Sequence, residues 1–507
     1  MVHPGRVDHA HERHRPEQTL LYQTLQVHWR TFLSELDSQG DSSALPAFVA
    51  SEVEAFLRCG ILAHGFVLAR CPDCGWSRAV AFSCQRRGFC PSCIGRRMCD
   101  FDAALADRVV PRVPVRQWVL TVPHGLRARL AHDPGLTSEI LRQLIAAVSA
   151  WLRGPAKRLG IRGVLKTGAV TVIQRFNSAL DVSPHFHVLF LDGVYGFSPG
   201  REPIFHPTPA PRDDDIAHVV AAVSAASRQA RRSRINRPAA TLRGERAAFA
   251  GDSRCVRPRL GRDRPPPRPP PRSRARSNRH HGRVRPGAPL RAGRRLQPSG
   301  ATRIGANDRQ GLERMARYLA RPPIATDRLS QLDDGRLQLR LKRPWRDGTV
   351  AFVLTPHELI ERLVAQVPRP RAHLTRYHGV LAPAFAARSQ IVPGRAAAQH
   401  DIKACAAAQP EDVAGASKRR RPTRYPWASL IWRVFLKDIL ECARCAGHME
   451  IIAAVTSRAG IVRILEHLGL PTAAPAVHPA RPPPQSELPF EVTGFEPDPP
   501  APDDFEP

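Results

Sequence analysis

The chain has 507 residues, 76 Lys and Arg against 45 Asp and Glu, and a formal net charge of +31. That length leaves room for two to four domains, and the charge points to a polyanionic partner, most simply nucleic acid. No stretch approaches the ~18 continuous apolar residues of a membrane span, and the polar N-terminus lacks the apolar core of a secretory signal, so no membrane partner and a cytoplasmic location are expected.

The charge is unevenly spread. Residues 231–300 hold 21 Arg, no Lys and three acids (Glu245, Asp252, Asp263), which is +18 of the +31. With eleven prolines and Phe249 as its one aromatic, this window cannot bury enough apolar surface to fold alone. The nucleic-acid argument rests on the +13 that remains.

Residues 1–60 read as a helical segment. Leu20, Leu21, Leu25, Trp29 and Phe32 recur at helical spacing, Ser51–Leu57 forms a second helix, and Gly60 is its stop. Residues 61–100 carry Cys71-Pro-Asp-Cys74 and, fifteen residues on, Cys90-Pro-Ser-Cys93. Two such knuckles match a zinc-ribbon template, each turn bringing two thiolates to one tetrahedral ion. Cys59, Cys84, Cys99 and His64 are spares nearby, either exchange ligands or small core residues. Arg86, Arg87, Arg96 and Arg97 surround the second knuckle as phosphate contacts or as a solvated basic face.

Residues 101–226 turn to mixed α/β character. A strand begins at Arg116, a helix spans Leu136–Leu152, and a strand runs Gly168–Phe176. A short polar link then leads to Asp181-Val-Ser-Pro-His185-Phe186-His187-Val-Leu-Phe-Leu191. Residues i and i+2 of a strand share a face, so His185 and His187 present two imidazoles side by side. That is the beginning of a divalent-metal site, and it is equally a half-buried strand decorated with histidines. An antiparallel pairing of the two strands would bring Gln174 near as a third ligand.

After the window 227–304 the pattern resumes over 305–395. Leu312, Met315 and Leu319 mark one helix face, and Pro322 and Pro323 end the helix. Tyr318 lies on an adjacent, exposed stripe with Arg314, Arg317 and Arg321, cations that could hold a phosphate beside the phenol. Two strands joined by the loop Lys342–Gly348 follow, with Asp-Gly turn chemistry. The run Pro368–Leu381, with Arg376, Tyr377 and His378, is basic and aromatic and suits single-strand contacts. Residues 396–424 read as a linker. Residues 425–470 hold a helix and a third knuckle, Cys442-Ala-Arg-Cys445, which is half a zinc site with His448 as a candidate third ligand. The Pro-rich, acidic stretch 471–507 reads as a disordered tail.

Taken together, the stretches Ala81–Cys93, Val115–Leu120, Gln174–Leu180, His185–Val194, Arg317–Pro323 and Leu374–Val380 resemble the HUH-type rolling-circle transposases of the IS91 and common-region group of bacterial insertion sequences. The resemblance implies an α+β chain: a DNA-binding zinc ribbon with Zn, then an HUH endonuclease domain built on an antiparallel sheet. It implies Mg or Mn on His185 and His187, and Tyr318 as the nucleophile that keeps the 5′ phosphate and frees a 3′ hydroxyl. It also implies partners in single-stranded DNA at element ends and in target DNA, in a nucleoid-associated protein. Two-tyrosine members carry the second tyrosine four residues along. Arg314 and Pro322 occupy those positions here, so a one-tyrosine variant is expected, with Tyr377 as the fallback nucleophile. A non-catalytic zinc-dependent DNA-binding protein and a replication-initiator nuclease are the alternatives.

The window departs from that group, whose members carry Gly-Phe-Ser/Asn-Leu-His-Ala before the tyrosine helix. Here the place reads Arg295-Leu-Gln-Pro-Ser-Gly300. The codons CGG-CTT-CAA-CCT-TCA would encode Arg-Leu-Gln-Pro-Ser, and read one base later they give Gly-Phe-Asn-Leu. Residues 227–300 are thus either a frameshifted translation in a degenerate copy or a true disordered DNA-binding linker.

Overall fold

The computed structural model describes residues 14–38, 45–235, 297–299, 302–345, 347–393, 425–435 and 438–481. The inferred linker 396–424, residues 236–296 of the Arg/Pro window, and 482–507 of the tail lie outside the described residues.

Helices α1 (Leu20–Ser38) and α2 (Ala47–Arg58) are the two expected from periodicity. Their apolar stripes bury Leu21, Leu25, Trp29, Val53 and Phe56. Strands β1 (Phe66–Arg70) and β2 (Ser77–Ala81) pair antiparallel. Helix α3 (Pro91–Ala104) starts on the second knuckle, where proline suits a first turn whose N–H groups have no helical acceptor.

A central sheet follows. It is built from β3 (Val115–Thr121), then α4 (His124–His132) and α5 (Pro134–Arg158) in sequence, and, after the short β4 (Val164–Lys166), from β5 (Gly168–Phe176) and β6 (Val182–Leu191). Strands β7 (Gly193–Phe197) and β8 (Ile204–Pro207) make a small sheet with β4. Helix α6 (Asp213–Ile235), strands β9 (Gln297–Ser299) and β10 (Arg303–Ile304), and helix α7 (Arg309–Ala320) come next. A meander of β11 (Leu329–Gln331), β12 (Leu337–Arg340) and β13 (Ala351–Leu354) precedes α8 (Pro356–Gln366) and β14 (Thr375–Gly379). The chain closes with α9 (Trp427–Phe435), β15 (Glu450–Val455) and α10 (Arg458–His467).

The central sheet is antiparallel, in the order β10-β3-β6-β5-β14, and β9 also pairs with β3. Side-chain alternation splits its two faces. Phe186, Val188 and Phe190 pack with Ile140, Leu141 and Leu144 of α5. Leu189 and Leu191 point the other way, to Leu312 and Ala316 of α7. His185 and His187 share the parity of Leu189 and therefore open toward α7.

Helix α7 is tied down along its length. Asp308 caps it by accepting from Gly311 N at 2.7 Å. Arg317 pairs with buried Asp102 of α3 at 2.8 Å. Arg433 of α9 bridges Glu313 of α7 and Asp107. Burial pushes the Asp102 carboxyl up to about 7, with Arg317 pulling the other way, so the ion pair offsets part of the cost of burying that carboxylate.

Several sequence expectations are corrected here. The C-terminal segment is no separate unit, because β15 pairs with β1 and completes a β15-β1-β2 sheet. The run Pro368–Leu381, expected to suit single-strand contacts, contains β14, an edge strand on β5. The inferred disordered window is entered by α6 as far as Ile235, and residues 297–299 and 303–304 bind to β3. Within the tail, residues 471–481 lie on α1: Gln26 Nε2 donates to the Ala476 carbonyl at 2.7 Å and Arg481 N to Thr31 Oγ1 at 3.0 Å.

Without Asp102, Arg317 keeps Glu313 at 3.5 Å as a second partner. Asp102→Ala is therefore expected to lower stability by about 1–3 kcal/mol in urea unfolding. The double variant Asp102→Leu/Arg317→Met should recover most of that loss.

Candidate active site and metal centres

Strand register assembles the first site. Across β5 and β6, Gln174 stands opposite His185, and across β3 and β6, Val119 stands opposite His187. The two imidazole centroids are 4.8 Å apart. His185 Nδ1–H donates to the Ser183 carbonyl at 2.8 Å, which leaves its Nε2 lone pair for a ligand. Gln117 Nε2 lies 2.9 Å from His187 Nδ1, so an amide on the neighbouring strand orients that ring. Burial first, then His185 and Arg321, push His187 down to about 3. Burial, then Arg321 and Arg127, lower His185 against an opposing hydrogen bond from the Ser183 backbone.

Gln174 has two roles. Its Nε2 donates to the carbonyl of Leu319 at 2.7 Å and of Tyr318 at 3.3 Å, which pins the last turn of α7. Its Oε1 is buried with no hydrogen-bond partner. An orphaned amide oxygen beside two neutral imidazoles is a donor set that could hold Mg or Mn.

All five tyrosines lie among the described residues, and Tyr318 alone of them is exposed, at 47%. Its ring meets His187 edge-on, centroids 5.8 Å apart at 82°. The Arg321 guanidinium sits 4.9 Å from the ring centre. The other four hydroxyls belong to the packing. Tyr22 donates to the Leu57 carbonyl at 3.0 Å and Tyr425 to Asp107 at 2.7 Å. Burial raises Tyr22 and Tyr195 to about 12 and also raises Tyr377 and Tyr425. Tyr377, the fallback nucleophile, packs into the core beneath α7 from β14.

Tyr318 opens into a groove of about 830 Å³. Arg303, Arg314, Arg321, Lys342 and Arg343 line it, with Asp308 as the one acid of its wall. Lys342 is lowered by burial and then by Arg321 and Arg328, the sign of a positive local field. Trp345 closes one side, half exposed and braced edge-on by Phe352 at 5.0 Å.

Of the arginines expected on DNA, Arg314 and Arg321 face this groove. Arg317 instead holds α3. Arg86 donates to Ser51 Oγ at 2.8 Å, Arg87 to the Ala372 carbonyl at 2.8 Å, and Arg97 to the Gln85 carbonyl at 2.6 Å. Arg96 lies over Trp427. Arg376 bonds Ser138 Oγ at 2.9 Å, and His378 bonds Thr171 Oγ1 at 2.9 Å. Each of these six side chains thus has a partner within the fold.

The cysteines are regrouped as well. Among the described residues two four-cysteine clusters could hold a metal: Cys59, Cys84, Cys90 and Cys93, and Cys71, Cys74, Cys442 and Cys445. The single ribbon read from Cys71, Cys74, Cys90 and Cys93 is split between them, and His448 joins neither. The reason is backbone topology. Cys71 and Cys74 close the β1–β2 turn, while Cys90 and Cys93 open α3 beside the end of α2, where Cys59 lies. Sulfurs in the first cluster stand 3.3–3.7 Å apart, near the ~3.8 Å edge of a tetrahedron with Zn–S about 2.3 Å. Sequence reasoning missed Gln117, Asp102 and Arg433. The signal for Gln117 was a polar residue sharing the histidine face of a neighbouring strand.

Two family models match the chain. The family described as "Putative transposase" (the Y2 model) covers residues 168–389, and the "Transposase zinc-binding domain" of the IS91 type covers residues 24–122. No curated protein and no solved structure matches. Among the described residues no helix is long and apolar enough to cross a membrane.

Gln174→Leu should free the Leu319 and Tyr318 carbonyls without filling the role of the amide. A loss of about 1–3 kcal/mol is expected, together with faster amide exchange in the last turn of α7.

Proposed function

We propose that this chain, an IS91-like transposase, works by the rolling-circle route: it cuts and rejoins single-stranded DNA through a 5′-phosphotyrosine on Tyr318. The observation that carries this reading is the contact between the exposed Tyr318 ring and the paired, neutral imidazoles, at the mouth of a basic groove. The transposase family matches supply the class of reaction and DNA as the partner. The antiparallel sheet with two histidines on its middle strand is the arrangement an HUH nuclease needs.

The groove cations bind the strand by its phosphates, and Trp345 offers a stacking face for a base. The Tyr318 oxygen then attacks phosphorus in line. The Tyr–O–P bond forms, the P–O3′ bond breaks, the phenol proton passes to solvent, and the departing 3′ oxygen takes up a proton. The phosphodiester energy is retained in the phosphotyrosine, so a later 3′ hydroxyl can reverse the step without ATP. Arg321 lies over the Tyr318 ring, where its guanidinium can hold a phosphate oxygen beside the phenol. His185, His187 and Gln174 would hold Mg or Mn, which when bound polarises the scissile phosphate. Arg314 and Pro322 leave no second tyrosine on this helix, so one phenol serves both cutting and joining.

Incubation with single-stranded oligonucleotides and Mn is expected to give a protein–DNA adduct that survives denaturation. Tyr318→Phe should abolish it and Tyr377→Phe should retain it. An adduct undiminished in Tyr318→Phe overturns the assignment.

The lowered imidazoles give a pH prediction. A histidine with a depressed pKa stays neutral, and so stays a ligand, as pH falls through the ordinary 6.5. Mn affinity read by EPR titration should therefore fall less between pH 7.5 and 5.5 than that of an exposed His pair, which would lose it tenfold or more.

A further inference from the structure

We propose that Cys71, Cys74, Cys442 and Cys445 form a second structural zinc site, built half from the β1–β2 turn and half from the segment before β15, and that it buckles a C-terminal strap that packs on α3 and reaches the tyrosine helix through Arg433. The transposase zinc-binding match ends at residue 122 and so contains one half of this site.

Four observations support it. The Cys71 and Cys445 sulfurs are 3.5 Å apart and those of Cys74 and Cys442 3.6 Å, with all four within 4.8 Å of one another. That is the spacing of a tetrahedral thiolate cage, at about 3.8 Å between sulfurs. The two knuckles also share one backbone turn: Gly75 N donates to the Cys71 carbonyl and Ala446 N to the Cys442 carbonyl, both at 2.9 Å. Each turn places the residue after its second cysteine at positive φ, +72° for Gly75 and +61° for Ala446. An alanine held in a conformation that L-residues disfavour matches a glycine in the partner knuckle. At Gly447 the two knuckles interlock, since a Cβ there would meet the Asp73 carboxylate and the Cys445 sulfur. Finally, β15 extends the contact by pairing with β1.

The strap runs from one functional element to the other. At its start Tyr425 and Arg433 grip Asp107, and Arg433 also grips Glu313 of α7. At its far end the two cysteines complete the cage. Four thiols crowded together gain little from one another, whereas four thiolates around a dication account for the convergence.

Native mass spectrometry of the full chain should show two zinc ions. Cys442→Ser/Cys445→Ser should leave one, and so should Cys71→Ser/Cys74→Ser. The quadruple variant combining them should still hold one, because all four residues serve a single ion, and its retained zinc reports that the remaining cage is folded. Amide exchange in 425–435 and in β15 should quicken in these variants. One zinc in the unaltered chain, two in the Cys442→Ser/Cys445→Ser variant, or none in the quadruple variant would overturn the proposal. The last outcome would mean that the two pairs serve different ions.

Discussion

A phenol on a helix can meet imidazoles on a strand only if the helix is fixed in both height and rotation. One residue of slip turns an α-helix by about 100°, which would carry Tyr318 off the site. Helix α7 is held against this at each end and from two sides. Asp308 caps its start, the Gln174 amide holds its last carbonyls, Asp102 of α3 pulls on Arg317, and Arg433 of α9 grips Glu313. The charged residues beside the tyrosine thus divide their work. Arg317 positions the helix, while Arg314 and Arg321 face the groove.

The same arrangement joins the zinc module to the chemistry. Helix α3 begins at Cys90 and Cys93 and reaches the tyrosine helix about three turns later at Asp102. A metal cluster at its first turn therefore sets the position of the residue that holds Arg317. The zinc-binding region is as much a brace for the active helix as a surface for DNA. Three of its arginines accordingly reach Ser51, Ala372 and Gln85 within the fold.

What was legible in the sequence was local and periodic. The His185–His187 pair, the Gln174 pairing and the Tyr318 stripe follow from two-residue and 3.6-residue repeats, and the register of β5 on β6 matches the expected antiparallel link. What failed was long-range. Cys-x-x-Cys spacing identifies a knuckle and says nothing of which knuckle faces it, so Cys71 and Cys74 were matched with their nearest neighbours in sequence. Basic residues near a knuckle look alike whether they meet a phosphate or a carbonyl, and only burial separates Arg87 from Arg314. The run around Tyr377 carried the composition of a binding loop because an edge strand with a half-covered face has that composition too. Order at β9 and β10, against the edge of β3, shows that the chain re-enters the sheet just where the Arg/Pro window ends.

The cage of Cys71, Cys74, Cys442 and Cys445 spans 374 positions from Cys71 to Cys445. At the ~5–20 residues per second of synthesis, the first knuckle waits about 20–75 seconds for its partner to be made. During that interval β1 presents an unpaired edge, and Cys71 and Cys74 form a bare dithiol, open to oxidation or to the wrong metal. The segment matched by the putative-transposase family ends at residue 389 and is made before then. Its tyrosine helix gains its last clamp, Arg433, only after that segment has been made, so the order of synthesis itself delays the fixing of α7.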